Sequence, residues 1–339
     1  HWMVRRQRQM CIRDSPRTVR DFAKAVQSVK RLDLLTVLTV CDVRSVGPDT
    51  WNNWKATLIR QLYSETRLIL EQGGEALNSE NRMVEAKKLL REKLFDWDPK
   101  DIKLEIGRHY PPYWQGFQID TQFAFANLLK NLGSDEIKID LTPDSDRDAT
   151  RICFALSDHP GIFSRLSGAL ALVGANVVDA RSYTSKDGFA TAAFWIQDVD
   201  GAPYNQTKFS RLRGMIEKTL SGEIITRDAM KERDKFKKRE RVFKVPTSIT
   251  FDNDGSEIYT IIEVDTRDRP GLLFDLTRTL ANMNVYIASA VIATYGEQVV
   301  DSFYVKDMFG LKFYSDSKQK KLEQNLRHAI TLGVERAQS

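Results

Sequence analysis

Two stretches of the chain place an aspartate two residues ahead of a proline-glycine pair: Asp158-His159-Pro160-Gly161-Ile162 and Asp268-Arg269-Pro270-Gly271-Leu272. The chemistry open to such a corner is binding, not bond breaking. Glycine lets the chain approach closely, proline fixes φ at the entrance, and the free N–H groups of a helix that starts there can hold a carboxylate. Asp158 and Asp268 can cap that helix or take an ammonium group. One Asp-x-Pro-Gly alone is also what a well-capped turn looks like, but two of them 110 residues apart weigh towards a ligand.

Other chemistry-bearing residues do not gather into sites. The histidines, His1, His109, His159 and His328, are scattered, and none is followed by aspartate. Cys11, Cys41 and Cys153 are far apart without C-x-x-C spacing, which indicates neither a disulfide framework nor zinc and fits a reducing cytoplasm. Gly133-Ser134 followed by Asp144-x-Asp146 is the nearest approach to a triphosphate loop with magnesium-binding aspartates. It has no strand and helix around it and reads as chance.

The elements that position the two corners follow from periodicity. Ser15-Pro16 opens a helix with Val19, Phe22, Ala23 and Val26 on one face, and an apolar run at 34–41 breaks at Gly47-Pro48. Trp51, Trp54, Leu58 and Leu62 line a helix that reaches Gly73-Gly74. Helical spacing returns at Leu89, Leu90 and Leu94 and again at Phe123, Ala126 and Leu129. Between them His109-Tyr-Pro-Pro-Tyr-Trp-Gln-Gly-Phe117 reads as a packed connector in preference to a recognition surface. A polar stretch at 142–148, with Pro143, marks a domain boundary. Beyond it come a strand at 151–158, a helix at 161–174, a strand at 176–185, a turn at Asp187-Gly188 and a strand at 190–198.

That pattern repeats. The offset of 110 that relates Asp158 to Asp268 also relates Leu166 to Leu276, Leu170 to Leu280 and Ala180 to Ala290. Phe194 and Phe303 match at 109, one residue having been lost from the second hairpin. Gly174 and Asn284, the residue types that best accept left-handed φ, occupy equivalent helix ends. Further helices follow at 207–220 and 316–334, and a closing strand for the first copy is expected at 242–252, across a charged insertion at 227–241 that reads as a solvated linker.

Bulk properties agree with a soluble, globular, multidomain chain. There are 339 residues, 42% of them hydrophobic, and a net charge of +5 spread over that length points to no nucleic-acid partner. No apolar run of eighteen residues indicates a membrane span. Residues 1–15 lack the features of a signal peptide and read as a non-native start.

The duplicated unit, with Asp-x-Pro-Gly joining its first strand to its first helix, resembles the ACT domain, a ferredoxin-like βαββαβ sandwich that binds amino acids and related metabolites. The run at 34–66, LLTVLTVCDVRSVGPDTWNNWKATLIRQLYSET, resembles the end of the HD domain of bacterial bifunctional PII uridylyltransferase/uridylyl-removing enzymes, and DRPGLLFDLTRTL and IATYGEQVVDSFYVKDMFGLKF resemble their C-terminus. The resemblance implies an α+β chain: the end of an HD-type helical domain at 16–75, a mostly helical connector at 76–148, and ACT domains at 149–253 and 254–339.

It also implies a function. In that family a nucleotidyltransferase domain uridylylates the PII signal protein when glutamine is scarce, a metal-dependent HD domain removes UMP when it is plentiful, and the ACT pair reads glutamine. Asp158, Pro160, Gly161, Ile162, Asp268, Pro270, Gly271 and Leu272 are then the glutamine-binding residues, at a place where one copy's turn faces the other's. Asp42 matches the last metal ligand of the HD site, which lacks its His-Asp pair here; the parent's magnesium site is not completed by this chain, and the chain alone is expected to be inactive. Two alternatives remain. One is a stand-alone ACT regulator without enzymatic activity. The other is the HD-plus-ACT alarmone synthetase class, which usually carries a single ACT module and which the Trp51-x-x-Trp54-Lys55 region disfavours.

Overall fold

The computed structural model describes residues 16–45, 59–223 and 246–338, apart from 61, 65, 68, 71–78, 160, 199, 257, 270 and 296–297. Residues 1–15, Gly47-Pro48, Trp51, Trp54, Gly73-Gly74, Pro160, Pro270 and the insertion at 227–241 therefore lie outside the described residues. The chain forms two compact units, one up to Asp96 and one from Trp97 onward.

In the first unit, helix α1 (Pro16–Val26) starts at the proline, whose fixed φ suits the first helical position. Val19, Ala23 and Val26, at helical spacing, are its buried stripe. Helix α2 (Val29–Ser45) buries Leu32, while Leu34, Leu35, Val37 and Leu38 are exposed. Helix α3 (Ser79–Lys93) buries Leu90.

The second unit is built on one antiparallel sheet. Its strands are β1 (Lys138–Asp144), β2 (Ala149–Ser157), β3 (Asn176–Thr184), β4 (Phe189–Gln197), β5 (Ser248–Asp252), β6 (Thr260–Arg267), β7 (Tyr286–Tyr295) and β8 (Gln298–Lys306). They lie in the order β1-β2-β4-β3-β7-β8-β6-β5. The halves meet where β3 pairs with β7, with Asp179 opposite Val291, Ala180 opposite Ala290 and Arg181 opposite Ser289. Ala290 is the repeat counterpart of Ala180, so the seam is a local two-fold axis running through one residue and its own duplicate.

The repeat extends further upstream than the sequence motifs indicate. Ile139 pairs with Phe154 and Ile249 with Val264, both 110 residues apart, so β1 and β5 are equivalent outer strands. Each half thus draws its edge strand from the segment before its corner. Residues 142–148, read as a boundary, hold the end of β1 and its turn into β2, and Pro143 is tolerated because β1 is an edge. Likewise the strand expected to close the first half pairs with β6 and serves the second.

Helices α7 (Ile162–Leu172) and α8 (Phe209–Leu220) belong to the first half, and α9 (Leu272–Asn282) and α10 (Asp316–Gln338) to the second. Leu166, Leu170, Leu276 and Leu280 join Phe194 and Phe303 in one continuous core. The supposed connector supplies α4 (Pro99–Arg108), α5 (Pro111–Gly116) and α6 (Ile119–Leu129), of which α5 packs on β3 and α6 on β1 and β2. Burial patterns record this cover: β2 and β4 are buried almost residue by residue, whereas β6 alternates over its second half. No helix among the described residues is long and apolar enough to cross a membrane.

Candidate functional site

Both Asp-x-Pro-Gly corners have the backbone their glycines permit. Gly161 has φ +83° and Gly271 φ +75°, left-handed values that a side chain would strain, and neither helix start carries a side-chain cap. The Ile162 and Leu272 amides donate to the His159 and Arg269 carbonyls, and the amides that follow them in the first turns of α7 and α9 meet no side-chain cap. At the far ends of the same helices Gly174 and Asn284 take φ +73° and +56°, as their residue types lead one to expect.

The first corner opens on a cavity of about 670 Å³. Asp158, His159, Gly161 and Ile162 form one wall, and the end of β3 at Ser182–Thr184 adjoins them. The facing wall comes from the second half: Ala281, Asn284 and Tyr286 at the α9–β7 junction, and Lys306 at the end of β8 with Asp307 and Met308 after it. Tyr110, Pro111, Pro112 and Tyr113 add a third wall. The aromatic, proline-rich segment therefore has two roles, since Tyr113 and Phe117 are also buried against Phe125 and Tyr183, with Trp114 buried against Tyr113.

A hydrogen-bonded relay crosses the seam into this cavity. Thr184 Oγ1 donates to Asp158 Oδ2 at 2.6 Å, which uses its only hydrogen. The Tyr286 hydroxyl, 2.6 Å from Thr184 Oγ1, must then be the donor in that pair. Desolvation pushes the Tyr286 phenol up to about 12, with Asp158 adding to the shift, so it keeps the proton it donates. His159 Nε2 lies 3.0 Å from Arg165, which also donates to the Leu220 carbonyl at the end of α8.

The second corner carries an internal ion cluster. Arg269, the counterpart of His159, is buried and meets Asp275 at 2.5 Å, and Asp275 also takes Arg336 from α10 at 2.6 Å. Gly333 passes so close that a Cβ there would collide with the Arg269 guanidinium. Asp268, Gly271 and Leu272 consequently do not line the cavity of the first corner, and the expectation that the two turns face each other across one ligand gives way to a corner facing a helix end. Thr184, Tyr286 and Lys306 were not singled out from sequence, and Tyr110 only within the segment read as a packed connector in preference to a recognition surface. For Lys306 a signal existed, because FYVKD differs from FWIQD at that position.

The sequence of the first half matches the family model described as "ACT domain" over residues 152–208, and that of the second matches "ACR9-like, ACT-like domain" over 248–335. The second unit is a pair of ACT domains. Over nearly its whole length the chain is also similar to bifunctional uridylyltransferase/uridylyl-removing enzymes. It is 69% identical to that of Ruegeria pomeroyi over 95% of this chain and 36% of the relative, and 68% identical to that of Cereibacter sphaeroides over 95% and 35%. The enzyme of Azospirillum brasilense is 43% identical over 94% of this chain and 34% of its own length. The chain thus spans about a third of the length of the curated relatives it matches.

Outside the ACT pair the other sequence candidates stay apart. Asp42 is exposed on α2, so it needs no buried counter-charge. Among the described residues no three His, Cys, Asp or Glu side chains gather into a metal-binding set. Asp144 is occupied by Arg147 and the Trp195 indole, and does not join Gly133-Ser134.

Proposed function

We propose that this chain is the regulatory part of a uridylyltransferase/uridylyl-removing enzyme and that its first ACT corner binds glutamine, biasing the parent between uridylylating and deuridylylating the PII signal protein. The observation that carries this reading is the cavity of about 670 Å³ against uncapped helix α7, with its relay from Tyr286 to Asp158. A small zwitterion suits it: first-turn amides for a carboxylate, Asp158 for an ammonium, and apolar walls around the remainder.

Because one wall comes from each ACT domain and a third from the Tyr110–Tyr113 segment, a ligand there touches three elements at once. It shifts the parent's activities only so far as it binds one arrangement of those elements more tightly than another. The chain by itself is expected neither to transfer nor to remove UMP: none of its four histidines is followed by aspartate, and among the described residues no three His, Cys, Asp or Glu side chains form a metal-binding set.

Calorimetry with millimolar glutamine tests the reading, alongside an assay of uridylylated PII. Heat of binding with no release of UMP is the expected pair of results. No binding at that concentration, or hydrolysis by the chain alone, would refute it.

A further inference from the structure

We infer that Lys306, supplied by the second ACT domain, joins the first-turn amides of α7 in holding the ligand's carboxylate in the cavity of the first domain and sets its preference for carboxylate-bearing ligands. This rests on the reading of that cavity as the effector site.

The ladder fixes where Lys306 stands. It lies directly opposite Tyr286 in the β7–β8 pair, and opposed residues in an antiparallel ladder project from the same face. Tyr286 is the residue whose hydroxyl reaches Thr184 and, through it, Asp158. Lys306 therefore stands beside the relay, and both residues line the cavity.

The charges around it leave Lys306 available. Its Nζ lies 5.1 Å from the centre of the Tyr259 ring, and no carboxylate among the described residues forms an ion pair with it. The two carboxylates in the cavity wall are engaged as acceptors: Asp158 by Thr184, and Asp307 by the amides of Phe309 and Leu311 in its own turn. The imidazole of His159 is engaged with Arg165. A half-buried ammonium with an aromatic ring for a neighbour, on a wall facing Asp158, is the complement a zwitterion needs.

The duplication supplies an internal control. The first domain has Gln197 at this ladder position, buried, opposite Asn176, and donating to the Asp148 carbonyl at 2.8 Å. The strand end is formed equally well without a cation, so nothing in the fold requires lysine at 306.

The test uses the whole chain and two probes, glutamine and its α-carboxamide, in which the carboxylate is replaced by a neutral amide. The wild-type chain should prefer glutamine by about tenfold to a hundredfold, the range of one charge-assisted hydrogen bond. Lys306→Gln, which installs the first domain's residue, should bring the two affinities to within about threefold. Lys306→Arg should keep most of the preference, and unchanged melting curves should accompany both variants. Glutamine binding by Lys306→Gln with its preference intact overturns this inference and leaves the cavity reading standing. Absence of glutamine binding by the wild-type chain overturns both.

Discussion

The two Asp-x-Pro-Gly corners share the aspartate and the left-handed glycine and differ in the charged side chains around them. Left-handed Gly161 and Gly271 start equivalent helices. The first corner then carries His159 and Arg165, the second Arg269 and Asp275 at the matching places, so the charge at the helix position is reversed. In the second corner the arginine turns inward onto its own helix and α10 lies over it; in the first, Arg165 reaches the end of α8 and the corner stays open. Duplication kept the scaffold and divided the labour: one copy provides the corner, the other the wall opposite it.

Breaking the internal ion cluster is the harshest test of that contrast. Asp275→Ala removes the carboxylate that Arg269 and Arg336 share, and with Arg269 buried it should cost about 3–5 kcal/mol in urea unfolding. Arg165→Ala at the equivalent site, half-buried and hydrogen-bonded to a carbonyl, should cost about 1 kcal/mol. Similar costs would mean that Asp275 does not hold Arg269 and Arg336 together as the two distances indicate.

Ligand affinity separates the corners next. Asp158→Ala should weaken glutamine about tenfold to a hundredfold by calorimetry, whereas Asp268→Ala, outside the cavity, should leave it within about twofold. Equal losses from the two variants would show that both corners bind.

The extent to which this was legible in sequence follows the range of the interactions involved. Helices, hairpins and the left-handed positions at Gly174 and Asn284 are decided by neighbours in the chain, and they stand where their residues point. The edge strand β1 escaped because it shows only a short half-buried pattern with a proline in it, and β5, expected as a strand, was given to the first half although it pairs with β6 of the second. The cavity was half legible. Its first corner is a motif, but Tyr110, Tyr286 and Lys306 reach it from three other elements, which only the sheet order brings together.

Stability offers a milder test on the opposite side of the seam. Asp301 is buried on β8 between Val264 and Ile292, where the first domain has Ala192 between Phe154 and Ser182, and its Oδ1 has no hydrogen-bond partner. Desolvation first, and Asp268 second, hold its carboxyl protonated well above the ordinary range. The native state thus keeps a proton that the unfolded chain releases, so this group's contribution is fully present below about pH 4 and is lost as pH rises. Asp301→Ala should stabilise the chain by about 1–3 kcal/mol at neutral pH, and the gain should shrink as pH falls towards 4. A gain that grew on acidification would contradict the assignment of a neutral buried acid.

The finest test concerns the bond that joins the halves at the site. Tyr286→Phe deletes one hydroxyl and leaves the ring, the ladder and Lys306 in place. Thr184 then keeps its donation to Asp158 but loses the donor from the second domain. Because the lost partner is neutral and Tyr286 is not fully buried, the cost in stability should be about 0.5–1.5 kcal/mol. If the relay aligns Asp158 for the ligand, glutamine should also bind a few-fold more weakly, and combining Tyr286→Phe with Asp158→Ala should add nothing further, since both changes act on one chain of bonds. Additive losses would show that Tyr286 meets the ligand on its own account, and the seam would then be a second contact surface with no part in orienting the first.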